Sequence, residues 1–77
     1  MYGKVTNIKL ESLAFASIQV KNSKLGTVSK EDGTYELLLD EGKYDLVVTM
    51  TGYKPQVITI IVKKEPYHLN ILLEEDS

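Results

Sequence analysis

The sequence predicts an all-β fold, a seven-stranded antiparallel β-sandwich built as one domain over residues 1–77. Three observations carry that expectation. Apolar and polar residues alternate along most of the chain with the period of two that half-buried strands require. Turn-forming residues interrupt the alternation about every ten residues, the spacing of sandwich strands. No stretch sustains a helical period: residues 6–15 are the only candidate, and Asn7 and the short length argue against it.

The elements follow in order. Residues 2–8 read as the first strand, with Tyr2 and Val5 as its bulky residues. Ala16, Ile18 and Val20 share one face of the second strand, over residues 16–20. A polar loop, Lys21-Asn22-Ser23-Lys24, leads to a third strand over residues 25–29. Lys30-Glu31-Asp32-Gly33 then predicts a tight hairpin, because the glycine of an Asp-Gly pair takes positive φ without a Cβ clash. The fourth strand, residues 34–39, points Tyr35, Leu37 and Leu39 one way. Asp40-Glu41-Gly42 reads as a second turn of the same kind, and residues 44–50 as the fifth strand, with Tyr44, Leu46, Val48 and Met50 inward. Pro55 cannot donate to a central ladder, so a turn or a sheet edge is expected there. Residues 57–63 form the sixth strand with Ile58, Ile60 and Val62 inward, and Lys64-Glu65-Pro66 a turn. Residues 67–73 form the seventh, with Leu69, Ile71 and Leu73 inward, and residues 74–77 a solvated tail. Leu37, Leu46, Val48, Ile60 and Ile71 are expected at the centre of the core.

Composition narrows the function classes. The chain has no cysteine, so neither a disulfide framework nor a thiolate metal site is available, and the redox compartment stays open. All nine basic residues are lysine, and they are interleaved with eleven carboxylates. That pattern offers no basic stripe for nucleic acid, and the absence of arginine weighs against bidentate phosphate recognition. The longest nearly apolar run, residues 57–62, is far short of the roughly 20 residues a membrane-spanning helix needs, so no direct membrane insertion is expected. The N-terminus lacks the apolar run of a signal peptide; the chain is expected to be an excised piece of a longer exported protein.

Residues with chemical potential each have a plainer structural role. His68 is the sole histidine, and alternation sends it outward beside Asn70. A general base needs a nucleophile or carboxylate in reach, and none is indicated. Glu31-Asp32 and Asp40-Glu41 could offer oxygens to calcium, but nothing has the spacing of a calcium loop; turn chemistry explains them. Five tyrosines raise carbohydrate stacking as an alternative, although Tyr35 and Tyr44 fall on inward faces. The glycines do not cluster into a phosphate-binding loop, and no serine sits in a nucleophile motif. No catalytic residue, cofactor or metal is expected.

Several segments, in their order and spacing, resemble one family. They are Gly3-Lys4-Val5, Leu13-Ala14-Phe15-Ala16-Ser17-Ile18-Gln19-Val20, Leu25-Gly26-Thr27-Val28-Ser29, Glu31-Asp32-Gly33-Thr34-Tyr35-Glu36-Leu37, Gly42-Lys43-Tyr44-Asp45-Leu46-Val47-Val48 and Thr51-Gly52-Tyr53-Lys54. Together they resemble the carboxypeptidase regulatory-like domain. The resemblance covers nearly the whole chain and implies a transthyretin-like (prealbumin-type, Ig-like Greek-key) sandwich. Two departures stand out: Ser12 and Ala14 where family members often carry proline, and Lys30 where an acidic residue is common, which weakens a calcium role for the Asp32 turn. The implied function is non-catalytic. Such domains accompany metallocarboxypeptidases and stand on the periplasmic side at the N-terminus of TonB-dependent outer-membrane receptors. A related sandwich hydrolyses 5-hydroxyisourate with histidines, an arginine and a C-terminal Tyr-Arg-Gly-Ser; this chain has one histidine, no arginine and no such ending, so that activity does not carry over. Another relative class forms Lys–Asn isopeptide bonds; Lys4 and Asn70 fall on the first and last strands, but no inward glutamate is placed to assist them.

The leading expectation is an accessory interaction module of a larger cell-envelope protein. Its partner would be the rest of the parent polypeptide or an envelope protein, and the domain itself a monomer or weak homodimer. The surface expected to serve is apolar. Alternation sends Leu38, Val47, Val57, Ile61 and Leu72 outward, more aliphatic side chains than a small water-facing sheet needs, and a contiguous exposed patch marks an interface.

Overall fold

Alternation along the chain resolves into two sheets that close on a shared apolar layer. The structure, a computed structural model, describes residues 1–63 and 67–76. Its strands are β1 (Tyr2–Asn7), β2 (Ser17–Val20), β3 (Gly26–Val28), β4 (Thr34–Glu36), β5 (Gly42–Thr49), β6 (Gln56–Val62) and β7 (Ile71–Leu73). One sheet has the order β4-β1-β7 and the other β3-β2-β5-β6. The expected turn at Lys64-Glu65-Pro66 lies outside the described residues.

The seven-stranded sandwich is as the alternation predicts, with three differences in how strands connect. First, Asp32-Gly33 does not close a hairpin of paired strands. Gly33 does take positive φ (84°), and the turn is sealed locally by Gly33 N–H to Lys30 O at 2.8 Å and Lys30 N–H to Thr34 O at 2.7 Å. Beyond it the strands part: β3 pairs with β2 and β4 pairs with β1, so the turn is a corner between sheets. A tight turn fixes chain reversal but not what the strands pair with further on. Second, Asp40-Glu41-Gly42 is also a crossover between sheets; Gly42 is the first residue of β5, opposite Val62. Third, pairing is not uniformly antiparallel. β1 and β7 run parallel, with Val5 opposite Ile71 and Asn7 opposite Leu73.

The core contains every residue expected at its centre: Leu37, Leu46, Val48, Ile60 and Ile71 are all buried, with Val5, Ile18, Tyr35 and Leu73 beside them. Burying one such aliphatic side chain is worth about 1.5–3 kcal/mol. Pro55 lies just before β6, an edge strand, where its missing N–H breaks no central ladder. The tail is less free than expected. Its side chains are exposed, yet Lys54 N–H donates to Glu74 O (2.9 Å) and Asp76 N–H to Gly52 O (3.0 Å), tying residues 74–76 to the β5–β6 turn.

Candidate functional site

The five outward aliphatic residues separate into one group of three and two isolated members. Val47 on β5 sits directly opposite Val57 on β6, and Ile61 follows on β6 opposite Lys43. All three share the outer face of the four-stranded sheet, with Thr59 between Val57 and Ile61. Val57 and Ile61 are exposed and Val47 is half-buried. Thr59 is itself anchored, its Oγ1 donating to Asp45 Oδ1 at 2.8 Å. Leu72 lies on the outer face of the other sheet, opposite Thr6. Leu38 is 93% exposed just beyond β4. Alternation sends Val57, Ile61 and Leu72 outward, and these three are exposed on their strands, but it does not say which sheet each strand joins.

A second apolar surface was not legible in the alternation. The β1–β2 connection holds Ile8, Leu10 and Phe15 in solvent, at 70%, 76% and 68% exposure. Leu10 and Phe15 both adopt left-handed backbone (φ 63° and 62°), a conformation costly for bulky side chains. Two buried polar residues impose it. Asn7 accepts through Oδ1 from the N–H groups of Lys9 (2.9 Å) and Glu11 (3.0 Å), and its Nδ2 donates to Glu11 Oε1 (3.0 Å). Ser29 Oγ donates to Leu13 O (2.7 Å) and accepts from Ala16 N–H (2.8 Å), while Ser29 O accepts from Phe15 N–H. Leu10 and Leu72 line one cleft of about 320 Å³ together with Lys4, Thr6, Asn70 and Ile71.

The residues with chemical potential are placed as follows. His68 is exposed and stacks on Tyr2, with ring centroids 4.9 Å apart. Asp32 Oδ1 accepts from Thr34 Oγ1 (2.6 Å) and Thr34 N–H (3.0 Å). These bonds, the hydroxyl's first, hold its carboxyl below the usual range, and they use the oxygen for turn chemistry. Among the described residues no group of three or more His, Cys, Asp or Glu could hold a metal ion. Tyr35 is buried and its hydroxyl donates to Leu69 O; burial, with a smaller contribution from Tyr67, pushes its pKa up to about 12. Tyr44 is half-buried and donates to Asp40 O at 2.7 Å. Tyr53 and Tyr67 pack partly against the core. Lys4 and Asn70 are neighbours, the Lys4 backbone N–H donating to Asn70 Oδ1 at 3.2 Å, but the contact is exposed on the outer face.

The comparisons with known proteins agree with this architecture. The sequence matches the family model of the CarboxypepD_reg-like domain over residues 1–77. No curated protein matches it. Among solved structures, it is similar to a chain of a type II cohesin–X-dockerin complex from Acetivibrio cellulolyticus, an N-terminal interface mutant. That match has a TM-score of 0.81 at 15% identity and covers 96% of this chain and 56% of that one. The corresponding C-terminal interface mutant gives 0.77 at 15% identity, covering 94% and 55%. The chain therefore spans about half the length of these two. The Caf1A usher C-terminal domain is similar at a TM-score of 0.62 and 8% identity, with 99% and 97% covered. At such identities the likeness is one of fold.

Proposed function

Because the chain belongs to the CarboxypepD_reg-like domain family, we propose that it is a non-catalytic accessory module of a larger cell-envelope protein. The parent we infer is a TonB-dependent receptor or a related outer-membrane or secreted protein, with this domain on the periplasmic side. Its role is contact: it docks the rest of its parent polypeptide, or a neighbouring envelope protein, through the outer face of the four-stranded sheet. One observation carries this reading. Val47, Val57 and Ile61 stand outward on two adjacent strands of one sheet, where isolated aliphatics need no explanation but a shared face does. Two of the similar folds support it. One occurs in a cohesin–dockerin complex. In the other, the Caf1A usher C-terminal domain, hydrophobic clusters on the surface are important for F1 antigen assembly.

The test is an NMR titration of the isotopically labelled domain with the separately expressed remainder of its parent chain. The amides around Val47, Val57 and Ile61 are expected to shift. A variant carrying Val47→Ser, Val57→Ser and Ile61→Ser should keep its dispersed spectrum and lose the shifts. Perturbations confined to other faces, or to the tyrosines on titration with soluble polysaccharide instead, would overturn the docking reading.

A further inference from the structure

Each of the two open sheets has two edges, formed by β4 and β7 in one and by β3 and β6 in the other. Three of these edge strands are only three residues long, whereas β6 has seven. Short edges are a common way to prevent strands from pairing with other chains. β6 lacks that protection, and Gln56-Val57-Ile58-Thr59-Ile60-Ile61-Val62 carries no charge, glycine or proline. One side of β6 pairs with β5 along its whole length. On the other side, among the described residues, its backbone groups have no partner. A row of free N–H and C=O groups at strand spacing recognises another extended strand.

We propose that this strand comes from a second copy of the chain, with β6 pairing antiparallel to β6 about a two-fold axis at Thr59. Charge selects the occupant. Exposed Lys63, followed in sequence by Lys64, marks the end of β6. The acidic residues Glu74, Glu75 and Asp76 are tied to Gly52, Tyr53 and Lys54 just before its start, where the three carboxylates outnumber the one lysine. Antiparallel pairing sets each cationic end against the other copy's acidic end. Parallel pairing would set lysine against lysine and acid against acid. Shape selects the register. With Thr59 on the axis, Val57 faces the second copy's Ile61 on the outer face, and Ile58 faces the second copy's Ile60 on the inner one. The two four-stranded sheets then join into one. A pairing through one seven-residue strand belongs with the small interfaces, under about 1,200 Å², that are weak and reversible; its charge-paired ends loosen as salt screens them.

The absence of cysteine makes the test clean. Directly opposed residues of antiparallel strands lie about 4.5–5.5 Å apart at Cα, within disulfide reach. Under mild oxidation, Thr59→Cys chains should link to one another much faster than chains carrying Lys30→Cys in the exposed corner turn. A mixture of Val57→Cys and Ile61→Cys chains should link heterotypically in preference to either with itself. In sedimentation equilibrium, Thr59→Lys places two ammonium groups across the axis and should weaken self-association by about tenfold or more, with thermal melting confirming that the variant is folded. A wild-type chain that stays monomeric to its solubility limit, or a Thr59→Cys chain that links no faster than the control, overturns the proposal and leaves the edge to a strand of another protein. Preferential self-linking of Val57→Cys chains overturns the register. All of this is measured on the chain alone, so it stands or falls separately from docking to a parent protein.

Discussion

The four-stranded sheet is assembled largely from neighbours in sequence, whereas the three-stranded sheet draws its strands from the beginning, middle and end of the chain. In the first, β2–β3 and β5–β6 are joined by short turns, and β2 pairs with β5 through four successive residues. In the second, β1 pairs antiparallel with β4 for three residues and parallel with β7 for three more. The larger sheet is held by long ladders and aliphatic packing. The smaller one is held by a few close approaches: Leu69 N–H to Tyr2 O and Tyr2 N–H to Tyr67 O, the Tyr35 hydroxyl on Leu69 O, and the N-terminal ammonium on Leu37 O at 2.8 Å. Long ladders tolerate the loss of a single backbone hydrogen bond, though not of the packing beneath them. Close approaches depend on single residues.

The largest effect is expected where both sheets share the core. Leu46 is fully buried in β5, between Val20 of β2 and Ile58 of β6. Leu46→Ala should cost about 2–5 kcal/mol, much of the roughly 5 kcal/mol that a small domain possesses. Urea denaturation should show a largely unfolded population at modest temperature. A fully folded variant would break the comparison, because the large sheet would then not depend on its central packing.

Gly3 tests the smaller sheet. A Cβ there would lie 1.8 Å from Leu69 O, in the segment leading into β7, and 3.1 Å from the hydroxyl of Tyr35 on β4. Gly3→Val should cost at least the roughly 1–3 kcal/mol of an overpacked core. Hydrogen exchange should show protection lost around Tyr2 and Leu69 while the β5–β6 ladder stays protected. Gly52→Ala is the control: nothing lies within 4 Å of a Cβ there, so only the cost of its positive φ (85°) is incurred. Equal loss of protection in both sheets would show that they open together and that the contrast between them has no energetic content.

Ser29→Ala probes the loop that joins the sheets. It removes the partner of buried Ala16 N–H and of Leu13 O, and leaving such groups unmatched costs about 1–3 kcal/mol. Phe15 should lose its left-handed backbone, visible as an altered coupling constant at its amide. A variant with native stability and an unchanged Phe15 φ would show that Ser29 does not hold the loop.

These residues also mark where the sequence could be read and where it could not. Tyr44, Leu46, Val48 and their neighbours announce β5 because burial on one face imposes a period of two. Gly33 announces a positive φ because an Asp-Gly turn needs one. Neither signal names a pairing partner, so the Asp32-Gly33 corner and the parallel β1–β7 pair were not legible. Gly3, Asn7 and Ser29 act through close approach and buried hydrogen bonds to residues distant in sequence, and no periodicity encodes those. The outward faces of β5 and β6 were legible as apolar for the same reason that their inward faces were. That Leu38 and Leu72 stand apart from them followed only from sheet membership.

The smallest effect separates the two sheets by pH. Tyr35 belongs to β4 and its hydroxyl reaches Leu69 O, beyond β1 and next to β7. Tyr35→Phe leaves that carbonyl without its donor and should cost about 0.5–1.5 kcal/mol at neutral pH. The further signature lies at alkaline pH. Burial raises the native pKa to about 12, from 10.0 for an ordinary tyrosine. Between those values the native chain keeps its Tyr35 proton while the unfolded chain has released it. The unfolded state then binds fewer protons, so stability falls as pH rises through this window and is insensitive to Tyr35 below it. Removing the hydroxyl should flatten that part of the alkaline slope, measured by urea denaturation at successive pH values, and leave the slope below pH 10 unchanged. If wild type and Tyr35→Phe lose stability in parallel from pH 10 to 12, Tyr35 ionises as freely in the fold as out of it. The hydroxyl would then not be a buried clasp between β4 and the approach to β7, and the three-stranded sheet would owe its cohesion to its short ladders alone.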